Sequence, residues 1–378
     1  MKIIRFITAS ALFLTVLVGA VSAQTAEITN TSQWPSQWFA AKRHALAVKY
    51  NENKRTTVNM SGTAISPRVM GKADVALILV ATASVGAQSQ EREATIAGRD
   101  VTIQVTVHPH NDRARAAAEQ FQADDFTVRE ETRPQRIISV KRPGEAPPIL
   151  AVLIQDDLVS RVNNEIKGVK EFIRRLPEGS RVMTGYITSG SFRIAQDFTT
   201  DLALAADSLR ILRSDESSAP FNPYVEVVEA LRRFDTQPAG RRMALLVSDG
   251  LDVSHGFRSA SPFQSIDLDR AISEAQRRGV AVFTFYAPSV GLTSVSRIAV
   301  NYGQGSLNRL ADETGGEAFF TGTDFVTFDP YFREFNDLLA RQWLVTYRSS
   351  NTGSGFRRIE VTTEANLHLH YPAGYRVR

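Results

Sequence analysis

Residues 149–157, Ile-Leu-Ala-Val-Leu-Ile-Gln-Asp-Asp, decide the fold. Six apolar residues in a row leave no polar face, so 149–154 reads as a strand covered on both sides. Asp156 and Asp157 follow at its end. The period then changes. Val162, Ile166, Val169, Ile173 and Leu176 are spaced 4, 3, 4 and 3 apart, which is one face of a helix, and Pro177-Glu178-Gly179 ends it. Residues 181–187 read as a second strand and 192–195 as a short third. Residues 202–212 and 223–234 read as helices, the latter with Pro223 in its first turn. A second buried run, 243–247, stops at Ser248-Asp249-Gly250. A helix over 268–278 ends at Gly279, a strand covers 280–286, and helices follow around 307–313 and 328–340. Buried strands alternating with amphipathic helices predict an α/β fold, a doubly wound, mostly parallel sheet. Ligands of such sheets bind at the carboxyl ends of the strands. Asp156, Asp157 and Asp249 stand at two of those ends, which suggests a cation site.

Both flanks of this unit change to period two. Val101, Ile103, Val105 and Val107 alternate with polar neighbours, and 124–130 and 135–140 read as two more strands with Arg133-Pro134 at the turn between them. Residues 142–148, rich in proline and glycine, form a boundary. After residue 341 the segments 343–347, 356–362 and 367–371 alternate again. Each flank alone has too few strands for stability. They are expected to fold together as an accessory β-sandwich built from the N- and C-terminal segments.

The chain begins with a basic start at Lys2 and Arg5, an apolar run, and Val21-Ser22-Ala23, the pattern of a secretory signal peptide over residues 1–23. Export, to the periplasm or the medium, is therefore expected, with no membrane span after cleavage. A second apolar run, 75–87, reads either as a buried strand or as a further leader-like segment behind Met70. Residues 24–70 carry little periodicity; Trp34 and Trp38 are read there as anchors of a short amphipathic stretch. The expected organisation is signal peptide 1–23, an ill-defined segment 24–99, a β segment 100–147, the α/β domain 148–341, and a β segment 342–378 packing with 100–147.

The 378 residues include no cysteine, so disulfides, thiolate metal sites and cysteine nucleophiles are excluded. The formal charge is +4, with 44 basic and 40 acidic residues; removal of residues 1–23 takes away two cations and leaves +2. The arginine pairs (Arg174-Arg175, Arg232-Arg233, Arg241-Arg242, Arg277-Arg278, Arg357-Arg358) fall mostly at helix ends, where cations complement the dipole. No aromatic interleaving accompanies them, so nucleic acid is not an expected partner. There is no phosphate-binding glycine loop and no G-x-S-x-G elbow. Ser248, Asp249 and His255 lie close in sequence, which is poor evidence for a catalytic triad. His108 and His110 read as a surface pair, and His368 and His370 as sharing an exposed strand face.

The order strand-Asp156, helix, strand, two helices, strand-Ser248-Asp249-Gly250, helix, strand resembles a von Willebrand factor type A domain. The flanking Asp124-Asp125-Phe126-Thr127-Val128 and Phe356-Arg357-Arg358-Ile359-Glu360-Val361 resemble the secreted bacterial VWFA-related family, common in acidobacteria. The resemblance spans roughly residues 100–378. It implies a metal-ion-dependent adhesion site, Asp-x-Ser-x-Ser plus a loop threonine and a distal aspartate, holding Mg2+ or Mn2+ through hard oxygen ligands. Asp156, Ser160 and Asp249 match three of the five positions. Leu158 stands for the middle serine and Phe221 for the threonine, so the implied site is degenerate; Asp157, Ser217 and Ser218 are the nearest substitutes. The expected function is a non-catalytic protein-interaction or adhesion module. The alternatives are a metal-assisted hydrolase and a structural envelope protein with no discrete ligand.

Overall fold

The computed structural model describes residues 98–109, 121–320, 327–365 and 367–377. The leader-like residues 1–23, the run 75–87, Trp34, Trp38 and His110 lie outside the described residues. In chain order the strands are β1 (Arg99–His108), β2 (Phe126–Glu130), β3 (Arg133–Pro134), β4 (Arg136–Lys141), β5 (Ile149–Gln155), β6 (Arg181–Thr188), β7 (Ser191–Thr199), β8 (Arg242–Ser248), β9 (Val280–Tyr286), β10 (Ala318–Phe319), β11 (Gln342–Ser349), β12 (Gly355–Thr363), β13 (His368–His370) and β14 (Gly374–Val377). The α-helices are α1 (Ile166–Arg174), α2 (Leu202–Asp207), α3 (Pro223–Arg232), α4 (Ile266–Arg278), α5 (Arg297–Thr314) and α6 (Asp329–Leu339).

The central sheet has the order β10-β9-β8-β5-β6-β7. Its neighbours run parallel except for the antiparallel edge pair β6–β7. The chain builds outward from β5 to β7, then returns to β8 on the other side of β5. The order therefore reverses between β5 and β8, and the crevice at their carboxyl ends is the place such sheets offer to a ligand. Every residue of β5 is buried. Leu150, Val152 and Ile154 pack with Val169, Phe172, Ala205 and Phe335 of α1, α2 and α6. Ile149, Ala151 and Leu153 pack with Val227, Leu231, Ile272 and Leu310 of α3, α4 and α5. Each such aliphatic side chain contributes about 1.5–3 kcal/mol on burial, so the two-sided apolar run is what places β5 at the centre. Helix starts are fixed by side-chain caps: Asp201, Asn222, Ser265 and Ser296 accept from the backbone N–H groups of Leu204, Tyr224, Leu268 and Ala299. Gly279 (φ 62°) and Gly315 (φ 81°) end α4 and α5 in the left-handed conformation.

Two four-stranded antiparallel sheets, β13-β1-β11-β4 and β14-β12-β2-β3, flank this unit. Strands from the two flanks pair directly: Val101 lies opposite Tyr347, Val105 opposite Trp343, and Val128 opposite Val361. Val105, Val128, Val345, Tyr347 and Val361 share one core between the sheets. Within it Glu130 is buried, its carboxylate accepting from the hydroxyls of Tyr347 (3.3 Å), Tyr375 (3.1 Å) and Ser349 (3.1 Å). The β2–β3 turn falls at Glu131 and Thr132 (φ 48° and 80°), not at Arg133-Pro134, which pairs with Arg129 and Glu130 as strand. The chain is an α/β protein whose doubly wound, mostly parallel sheet is flanked by an accessory β-sandwich drawn from both flanking segments. No helix among the described residues is long and apolar enough to cross a membrane.

Candidate functional site

Period-two alternation continues past the end of β5. Gln155 follows Leu153 toward the α3–α5 side, and Asp156 follows Ile154 toward the α1–α2 side. Asp156 is fully buried, and both its oxygens are engaged by Arg210: Nη1 donates to Oδ1 and Nη2 to Oδ2, each at 2.8 Å. The Arg213 backbone N–H also donates to Oδ1 (3.1 Å), and Arg213 Nε lies 3.5 Å from Oδ2. The Arg210 guanidinium sits 4.1 Å above the centre of the Tyr186 ring. Its bond to Asp156 holds its pKa above the ordinary value.

On the other side a neutral amide joins the two strand ends. Gln155 Oε1 accepts from Ser248 Oγ (2.5 Å) and from the Asp249 backbone N–H (3.3 Å), while Nε2 donates to Asp157 Oδ1 (2.8 Å). Asp249 accepts from the Leu251 N–H at Oδ1 (3.1 Å) and from Thr293 Oγ1 at Oδ2 (3.0 Å). Thr293 in turn shares a 3.0 Å hydrogen bond with Ser289. Burial, and after it the charge of Asp249, pushes Asp157 up to about 7. Burial pushes Asp249 up as well, against the hydrogen bonds it accepts. Two buried carboxylates that feel one another favour a shared proton.

The structure therefore gathers Gln155, Asp157, Ser248, Asp249, Ser289 and Thr293, and turns Asp156 away from Asp249. Leu158, at the middle-serine position, is buried in the core and bridges to Ser289. Ser160 is exposed at the start of the short 3-10 helix Ser160–Glu165. Phe221 is 73% exposed. Ser217 donates to the Asp215 carboxylate and Ser218 Oγ to the Asp215 carbonyl (2.8 Å), so both hydroxyls are engaged locally. Asp156 and Ser160 are therefore not placed beside Asp249 to share an ion with it in this arrangement. The oxygens of Asp156 already hold a guanidinium, and on the Asp249 side the Gln155 amide stands between Asp157 and Asp249. Among the described residues no group of three or more histidine and carboxylate side chains is placed to hold a metal. Gln155, Ser289 and Thr293 carry no signal in the sequence by type; only the parity of β5, counted from Ile149, shows that residue 155 rather than 156 shares a side with Leu153.

The raised pKa of Asp157 has a stability consequence with a definite sign. The folded protein keeps a proton that the unfolded chain releases near the ordinary carboxylate value, so this contribution is present below that value and lost as pH rises toward about 7. Asp157→Asn is expected to remove it. Relative to wild type, the variant should gain about 2 kcal/mol between pH 4.5 and pH 7.5 in urea unfolding; a difference that stays constant across that range would refute the assignment.

Other residues singled out in the sequence lie elsewhere. Ser248 Oγ is committed to Gln155, and His255 Nδ1 pairs with the neighbouring Ser254 Oγ (3.0 Å), so Ser248 and His255 form no relay. His108 does not stand apart from His368 and His370. Its ring centre lies 6.2 and 6.1 Å from theirs, and Nε2 is 3.8 Å from Glu317. Burial first, then the two neighbouring histidines, push His108 down to about 4.

Around the strand-end crevice run the loops 208–222, 249–265 and 287–296. They and the helix starts they feed carry most of the exposed large apolar residues of the described chain, including Ile211 (70%), Phe221, Phe263 (82%), Ile266 (69%), Val295 (83%) and Ile298 (56%).

No model of a known protein family matches the chain, and no characterised protein matches it in sequence. Solved structures resemble it distantly. An aerotolerance-related membrane protein from Bacteroides fragilis is 12% identical over 50% of this chain and 98% of its own, with a TM-score of 0.35. The conserved hypothetical protein BatB from Bacteroides thetaiotaomicron is 12% identical over 51% and 97%, with a TM-score of 0.32. The human COPII-coat protein Sec24c is 10% identical over 62% and 44%, with a TM-score of 0.37. Likenesses this remote carry no function, and the fold stands on its own strand order: a doubly wound α/β sheet with one antiparallel edge strand, reversing between β5 and β8.

Proposed function

We propose that the chain is an exported, non-catalytic protein-interaction module of the secreted bacterial VWFA-related kind, acting in the periplasm or outside the cell. Its contact face is the carboxyl edge of the central sheet, and it binds without a metal ion. The observation that carries this is the concentration of exposed phenylalanine, isoleucine and valine on the three loops of that edge. Apolar and aromatic residues at the centre of a patch are what protein interfaces bury, and loops on a rigid scaffold commonly carry binding. Polar support for the same edge comes from the Gln155–Ser248–Asp249 network, which fixes the crevice. The engagement of Ser248 with Gln155 and of His255 with Ser254 favours binding over hydrolysis.

The test is capture from the native envelope fraction by the purified protein, with and without EDTA, beside a Phe263→Asp/Val295→Asp variant. A specific partner is expected to be retained by wild type in EDTA and to fall roughly tenfold or more with the variant, since losing a buried anchor costs about 1–4 kcal/mol. Capture that is unchanged in the variant would remove the proposed face. Capture lost in EDTA would restore the metal-dependent alternative.

A further inference from the structure

At the opposite edge of the central sheet lies a cavity of about 610 Å³, open to solvent, between the amino ends of the strands and the β-sandwich. This volume is within the usual range for small-molecule sites, roughly 300–1,000 Å³. Arg99 and Arg376 reach it from β1 and β14 of the sandwich; Arg242, Arg277 and Arg278 reach it from β8 and the end of α4. Five arginines thus line the cavity against two aspartates, whose carboxylates are already bound; the Arg376 guanidinium lies 5.4 Å from the centre of the Phe356 ring. Asp100 pairs with Arg348 at 2.5 Å, and Asp235 with Arg278 at 2.8 Å.

The internal pairing leaves positive charge over. Glu274 is shared by Arg277 and Arg278. Arg242 spends its donors on neutral carbonyls: Nε on Pro238 (3.0 Å), Nη1 on Arg278 (3.0 Å) and Nη2 on Gln237. Burial lowers its pKa; the charge of Asp235 opposes this, and that of Arg278 adds to it. The Arg278 side chain is only 3% exposed, yet its Nε–H has no hydrogen-bond partner among the described residues, and neither has the buried Nε–H of Arg277. A buried donor left unpaired is costly, about 1–3 kcal/mol. Two carbonyls at the end of α4 and just past it are taken, Arg278 O by Arg242 and Gly279 O by Gln104 Nε2 (3.3 Å).

We propose that this cavity binds a small polyanion, a molecule carrying at least two phosphate or carboxylate groups. Planar guanidinium forks match both oxyanions bidentately. The ligand would neutralise the surplus charge and tie the sandwich to the α/β unit through arginines from each. The site is independent of the strand-end face proposed above and lies at the other edge of the sheet.

Isothermal titration of the full chain at constant ionic strength tests it, with inorganic pyrophosphate as the phosphate probe and citrate as the carboxylate probe. Saturable one-to-one binding of either is expected, and which probe binds tighter identifies the source of the oxyanion. Arg99→Ala/Arg376→Ala, which alters two exposed side chains and should fold normally by circular dichroism, is expected to weaken that binding roughly tenfold or more, the loss of one or two charge-assisted hydrogen bonds. Absence of saturable binding for both probes, or equal binding by the double variant, would overturn the proposal.

Discussion

Arg210→Ala is expected to lower the unfolding free energy by about 2–3 kcal/mol, because it leaves the fully buried Asp156 without its bidentate partner. Breaking a buried pair from one side typically costs about 3–5 kcal/mol. The lower figure is used because the Arg210 side chain is 40% exposed and Arg213 remains beside the carboxylate. The loss should be read in urea unfolding at neutral pH and low salt. Pairing the change with Asp156→Asn should recover part of it, since an uncharged amide in that pocket no longer needs a cation. An Arg210→Ala variant within about 0.5 kcal/mol of wild type, the usual effect of a surface substitution, would mean that the guanidinium does not hold the strand end. Addition of Mg2+ or Mn2+ is expected to raise the unfolding temperature of neither protein.

Gly303→Ala is the second large effect, and its sign runs against propensity. Alanine in place of glycine inside a helix ordinarily gains up to about 1 kcal/mol. Gly303 lies within α5, where a Cβ would stand 2.0 Å from the Asp249 carbonyl oxygen. The obstacle is backbone, so no rotamer relieves it, and either α5 or the Asp249–Gly250 turn must move. A cost of about 3 kcal/mol is expected, at the upper end of overpacking. Gly168→Ala in α1 is the control: its Cβ would meet nothing closer than Phe332 at 3.6 Å, so it should be neutral or mildly stabilising. Equal thermal stability for the two variants would show that the close approach of α5 to Asp249 is not maintained in solution.

The layered architecture was legible because burial on both sides of β5 and β8 demands unbroken apolar runs, and no other fold class needs them in alternation with 3.6-period helices. The pairing of the flanks followed from the same logic, since too few strands on either side forced them together. Less of the site could be read. Asp156 and Asp249 do stand at one edge, but a sheet has two faces, and a single step along the chain sends a side chain to the other one. Residue type drew attention to the aspartate, whereas parity points to Gln155, an amide that no ligand motif contains. Helix α5 was read only from Leu307, because Gly303, Gly305 and Ser306 interrupt its apolar stripe where it packs closest to the crevice. The turn at Glu131 and Thr132 escaped because neither residue favours positive φ, whereas the neighbouring proline looks like a turn and is strand. The arginine pairs were read one helix end at a time; that Arg242, Arg277 and Arg278 converge with Arg99 and Arg376 is a property of the tertiary structure.

The sandwich has one further consequence, for the order of events during synthesis. β1 precedes the entire α/β unit, and its main partner β11 follows it. A chain emerging from the ribosome therefore exposes Val101, Ile103, Val105 and Val107 on an unpaired strand until the whole α/β unit and β11 have been made. Unpaired apolar strands are templates for aggregation, and pairings between residues so far apart form slowly. The α/β unit is built from local alternations and can form early, whereas the sandwich closes last and completes the fold only when the C-terminal strands arrive. Loss of β11 and β12 would thus orphan β1 and β2 on the other side of the α/β unit, and in a nascent or unfolded form these are the strands that a holding chaperone would cover.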